Sequence, residues 1–110
     1  MTERATTDVE NVKLIVFACE AGMGSSLMGA NQLKKMVKKA KLTEITVVHS
    51  PVGQLTTDAD IIVVHKGLAQ QAHQKIPDAV IVQFDLFMND PAVKKLVEQL
   101  KAGETIVSAL

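Results

Sequence analysis

The sequence holds one cysteine, Cys19, and it opens the run Cys19-Glu20-Ala21-Gly22-Met23-Gly24-Ser25-Ser26. A thiol attacks as its thiolate, and the free-cysteine pKa of about 8.5 falls beside helix N-termini and hydrogen-bond donors. Gly22 and Gly24 let successive backbone N–H groups turn toward one point and form a nest for an anion. A helix leaving the loop adds the positive end of its dipole. The hydroxyls of Ser25 and Ser26 are donors for the sulfur, or for the oxygens of a phosphate carried on it. Two linked tasks are therefore expected of one loop. It lowers the thiol pKa of Cys19, and the stretch Glu20, Ala21, Gly22, Met23, Gly24, Ser25 and Ser26 holds the anion that forms there. A cysteine at a strand end is more often a small buried hydrophobe. Here the loop type points to an anion site independently. The spacing is not that of a dinucleotide loop, because Gly29 follows Gly24 by five residues, and no Lys follows Gly24 as a Walker loop requires.

The flanking elements place this loop. Val12 to Ala18 is an apolar, branched run that predicts a buried strand leading straight into Cys19. Leu27, Ala30, Leu33, Met36 or Val37 and Ala40 recur at helical spacing, which predicts a helix from about Ser26 to Ala40, capped by Ser25 or Ser26. Glu44 to Val48 predicts a second strand, and residues 49–59 a connection. Asp60 to Val64 predicts a third strand, Gly67 to Lys75 a short helix and Ala79 to Val82 a fourth strand. A last helix starts around Asn89-Asp90-Pro91, with Ala92, Val93, Leu96, Val97 and Leu100 as its apolar face. Alternation of strands and helices predicts a small doubly wound α/β domain over residues 11–102. Its four-stranded parallel sheet has order 2-1-3-4 and helices on both faces. Residues 1–10 are expected to be a disordered leader or linker, and 103–110 a flexible tail. Ligands of such sheets bind outside the strands' carboxyl ends, where the order reverses. That point lies between the first and third strands, which end at Cys19 and His65.

Composition removes several function classes. The chain of 110 residues carries 12 Lys plus Arg against 12 Asp plus Glu, and it has no Trp or Tyr. It lacks both the basic surface and the stacking platform of a nucleic-acid binder. No apolar run approaches the roughly 20 residues that span a bilayer, so no direct membrane insertion is expected. One cysteine makes no internal disulfide, which suits a cytoplasmic setting. With His49, His65 and His73 scattered, it makes no zinc site either, and neither metal nor cofactor is expected.

The strand followed by CEAGMGSSLMGA and a helix resembles the mannitol-type enzyme IIB domains of the bacterial phosphoenolpyruvate-dependent sugar phosphotransferase system. The resemblance covers about residues 11–101 and extends to ADIIVVHKGLAQQA. It implies that Cys19 accepts a phosphoryl group from a histidine of enzyme IIA. Cys19 then passes the group to a sugar, mannitol-like, bound in the membrane transporter, enzyme IIC, at the inner face of the membrane. Ser26 matches the family's serine that bonds the sulfur or its phosphate. Three stretches depart from the pattern. His65-Lys66-Gly67-Leu68 has Gly where the family usually has Asp, HSPVGQLTT replaces an Asn-rich segment, and Phe84-Asp85-Leu86-Phe87-Met88 replaces a more polar one.

Around the loop, His65 is a candidate to help bind phosphate or simply a polar cap on its strand. Lys66 is a candidate charge favouring the phosphorylated state. Met23, with Leu27 and Met28, offers an apolar tip suited to docking. Lys34, Lys35, Lys38, Lys39 and Lys41 form a solvated helix face, and His49 and His73 are expected at the surface. Two further classes stay open. A phosphatase of low molecular weight uses a similar loop with Arg where this chain has Ser25. A IIB-like module of a transcription regulator would use phosphorylation of Cys19 as a signal.

Overall fold

The computed structural model describes residues 6–19, 25–85 and 91–109. Its elements in order are β1 (Thr6–Thr7), β2 (Leu14–Cys19), α1 (Ser25–Lys39), β3 (Thr46–Pro51), β4 (Ile61–His65), α2 (Ala69–Lys75), β5 (Val80–Phe84), α3 (Pro91–Ala102) and β6 (Ile106–Val107). The four long strands form a parallel sheet of order β3-β2-β4-β5, the order expected of the sequence. Branched residues fill the two central strands because both of their faces are covered.

Side chains alternate across the sheet and divide the core in two. Ile15, Phe17, Ile61, Val63, Val80 and Phe84 pack with Ala30, Leu33 and Val37 of α1 and with Val93, Leu96, Val97 and Leu100 of α3. On the other face Val16, Ala18, Ile62, Val64 and Ile81 pack with Ala69 and Ala72 of α2. Ala30, Leu33 and Val37 of the expected α1 stripe and Val93, Leu96, Val97 and Leu100 of the expected α3 stripe are therefore buried, Met36, Ala40 and Ala92 are half-buried, and Lys34, Lys35, Lys38, Lys39 and Lys41 are exposed.

Strand limits differ from expectation in a consistent way. β3 runs from Thr46 to Pro51, so His49 to Pro51 are strand and not connection. Parallel pairing explains this, since β3 keeps step with β2 from Leu14 opposite Thr46 to Cys19 opposite Pro51. Proline is tolerated because β3 is an edge strand. Likewise β4 reaches His65 and β5 reaches Phe84. The helix expected from Gly67 begins at Ala69, after a 3-10 turn over Lys66–Leu68.

The described parts of the two ends are structured, against the expectation of a leader and a tail. Thr6–Thr7 pairs antiparallel with Ile106–Val107, and Asp8 accepts the Thr105 hydroxyl at 2.7 Å. Ile106 and Ser108 are buried. The Ile81 N–H donates to Ser108 Oγ at 2.9 Å, and the Ala109 N–H donates to the Ile81 carbonyl at 2.8 Å. The exposed edge of β5 needs partners for its backbone groups, and the chain's end supplies them.

Candidate functional site

β2 ends at Cys19 and α1 begins at Ser25, with Glu20, Ala21, Gly22, Met23 and Gly24 between them. Those five residues, and with them the nest itself, lie outside the described residues. Cys19, Ser25 and Ser26 are located by their backbone, as the last residue of β2 and the first two of α1. α1 has 15 residues and no acidic residue in its own first turn, so the positive pole of its dipole lies at Ser25, and Lys38 and Lys39 complement its far end.

The register puts two expected site residues side by side. Ala18 stands opposite Val64 across β2 and β4, so Cys19 and His65 are the next positions on the two strands. On its other side Cys19 is opposite Pro51. This is the point where strand order reverses, since the chain runs from β2 outward to β3 and then back to β4.

His65 is held from more than one side. It is opposite Phe84 on β5, its ring lies edge-on to Phe84 with centroids 5.7 Å apart, and its Nδ1 accepts the Gly67 N–H at 3.1 Å. Phe84 is itself buried and stacked on Phe17 at 5.0 Å. The polar-cap expectation for His65 is thus met, for it caps the turn that follows β4.

Lys66 Nζ sits 2.9 Å from Asp85 Oδ1, with both side chains about two-thirds exposed. The hydrogen bond and the charge of Asp85 raise the Lys66 ammonium above its ordinary 10.5. Asp85 went unrecognised in the sequence, although it follows β5 as Lys66 follows β4, and equal register makes such residues neighbours. Met28, in the first turns of α1, is exposed. His49 is exposed, as expected. His73 is half-buried instead, and its Nδ1 is buried with no hydrogen-bond partner among the described residues. Among the described residues no cluster of His, Cys, Asp or Glu is fit to hold a metal, and no helix is long and apolar enough to cross a membrane.

The family model described as "PTS system, Lactose/Cellobiose specific IIB subunit" matches residues 14–99. This chain belongs to that IIB family. Relatives include the "PTS system mannitol-specific EIICB component" of Bacillus subtilis, 44% identical over 90% of this chain and 20% of the relative. The proteins of the same description from Staphylococcus saprophyticus and Staphylococcus aureus (strain COL) are 38% and 40% identical over 86% of this chain and 18% of each relative. This IIB chain spans about a fifth of the length of the curated relatives it matches.

Proposed function

We propose that this IIB domain carries a phosphoryl group on Cys19 between enzyme IIA and a sugar bound by the membrane transporter IIC, at the cytoplasmic face of the membrane. The observation that carries the reading is the place of the chain's one cysteine. It ends a central strand, one register step from the Ala18–Val64 pair and beside His65, at the reversal point of a IIB-family sheet. The sugar is mannitol, a reading supported by relatives described as mannitol-specific.

Two displacements make the cycle. The Cys19 thiolate attacks phosphorus of a IIA phosphohistidine, forming S–P as N–P breaks, and the imidazole nitrogen keeps the electron pair. A mannitol hydroxyl oxygen then attacks the same phosphorus, forming O–P as S–P breaks. The hydroxyl proton leaves and the thiolate is restored. Each step needs a low thiol pKa and donors for the phosphoryl oxygens. The backbone of Glu20 to Ser26, the α1 dipole and the serine hydroxyls serve those needs. Lys66, the other auxiliary candidate, directly follows His65, and its ammonium is paired with Asp85.

The test is incubation with phosphorylated IIA, intact-mass measurement, and a chase with membranes holding IIC and a panel of sugars. Mass rises by one phosphate in the parent and not in Cys19→Ser, and mannitol discharges it. Phosphate retained in Cys19→Ser with thiol-like lability refutes the assignment. Rapid hydrolysis without sugar points instead to a phosphatase.

A further inference from the structure

We propose that His65 donates a hydrogen bond through Nε2–H to the phosphoryl group on Cys19, and that the Gly67 backbone selects this tautomer. The proposal rests on the carrier reading of Cys19. It goes beyond that reading by giving one side chain a defined proton position and a defined role.

Three observations carry it. The first is register, which sets His65 beside Cys19 on adjacent strands. Such strands are about 4.8 Å apart, so a group borne on one is within reach of a side chain on the other. The second is the 3.1 Å bond from the Gly67 N–H to Nδ1. A ring nitrogen that accepts a hydrogen bond carries no proton, so the neutral imidazole holds its proton on Nε2 and is a donor there. The third is anchoring. The ring stands edge-on at 82° to Phe84, and Phe84 is stacked on Phe17 in the core. Gly67 lets the backbone approach closely, since a Cβ there would come within 3.3 Å of Nδ1 and 3.7 Å of Cε1.

A ring fixed on both sides loses little freedom when it makes one more bond, which is what preorganised donors contribute to catalysis. Phosphocysteine presents three acceptor oxygens. A neutral donor steadies them without supplying the positive charge that would favour attack by water. No proton changes hands in this contact.

Two amide substitutions separate the donor role from the cap. His65→Gln places an amide N–H near the position of Nε2, whereas His65→Asn places a carbonyl oxygen near Nδ1 and keeps an acceptor for Gly67. The readout is the single-turnover rate of phosphate transfer from phosphorylated IIA, taken after intact mass has shown phosphate on Cys19 of the parent. Expected is transfer slowed about 10- to 100-fold in His65→Asn and His65→Ala, and within about threefold of the parent in His65→Gln. Equal rates in all three variants, or loss in Gln with the parental rate in Asn, overturn the proposal and leave His65 a cap. A parent that takes no phosphate on Cys19 overturns the carrier reading instead, and is seen before any variant is compared. Nitrogen-15 NMR of the imidazole in the parent checks the tautomer independently of variant folding. A proton on Nδ1 of the neutral ring overturns the proposal.

Discussion

The Asp60 carboxylate accepts the Leu14 N–H at 2.9 Å, and the same oxygen accepts the Lys13 N–H at 2.8 Å. The Asp60 N–H returns a bond to the Leu14 carbonyl at 3.0 Å, and the Asp60 carbonyl accepts the Val80 N–H at 3.1 Å. One residue thus ties the amino ends of β2, β4 and β5, at the opposite end of the sheet from Cys19. Hydrogen bonds to a charged acceptor contribute about 1.5–3 kcal/mol. Asp60→Ala is expected to cost about 1–3 kcal/mol in urea unfolding, and Asp60→Asn less, because an amide oxygen keeps the acceptor. Phosphorylation of the folded variant at low temperature stays near the parental rate. An unchanged unfolding midpoint would show that the clamp contributes nothing.

A second stability prediction concerns the end of the chain. Ser108 is 1% exposed and its hydroxyl accepts the buried Ile81 N–H. Ser108→Ala keeps the shape but leaves that N–H without its partner, at a cost of about 1–3 kcal/mol. Ile106, 2% exposed, lies in the same core as Leu96 and Leu100. Ile106→Ala is expected to cost about 2–5 kcal/mol through lost burial and a residual cavity. Thermal melts of the two variants and of their double measure both effects. If both melt with the parent, the final segment is dispensable to the fold.

Periodicity made the four long strands and the helices legible, because burial on two faces writes continuous apolar runs and burial on one writes a 3.6-residue stripe, and the alternation of strand with helix then pointed to the doubly wound strand order. The position of Cys19 at the switch point followed from that order alone. Strand ends were less legible. His49, Ser50 and Pro51 look like a connection by composition, and only pairing with β2 makes them strand. Thr6–Thr7 and Ile106–Val107 are too short for periodicity to detect, and each is a strand because the other is there. The Lys66–Asp85 pair joins residues far apart in the chain, and only the register between β4 and β5 brings them together. The half-buried position of His73 on α2 left no mark in the local pattern.

The Lys66–Asp85 pair gives a pH prediction. Asp85 raises the folded Lys66 pKa above 10.5 by a hydrogen bond and by its charge. A raised folded pKa means that the ammonium form is favoured by folding, so the pair's contribution is full below 10.5 and fades as pH rises through the folded value. Exposure keeps the effect small. Lys66→Met should therefore differ slightly and constantly from the parent between about pH 7 and 9, and converge with it above the lysine range. Added salt at about 1 M should shrink the difference, as screening requires. A gap between the two proteins that widens at alkaline pH would reverse the sign and refute the linkage.

Ser26 supplies the last prediction. It is the second residue of α1, and the loop from Glu20 to Gly24 joins that helix to Cys19 at the end of β2. A phosphate on Cys19 brings nearly two negative charges and three acceptor oxygens. Backbone N–H groups at a helix start serve some of these, and a serine hydroxyl adds a donor without adding charge. Ser26→Ala is expected to slow single-turnover transfer from IIA by about 10- to 1000-fold, the range for losing one such donor. The fold persists, with a loss of at most about 1 kcal/mol if the hydroxyl also caps the helix. Ser25→Arg moves the loop the other way. The guanidinium adds positive charge beside the phosphate, lowers the barrier to attack by water, and shortens the phosphocysteine lifetime. Intact-mass time courses of both variants, with thermal melts as the folding control, measure the two effects. Transfer at the parental rate in a stable Ser26→Ala protein would confine the hydroxyl to the helix and remove it from the site.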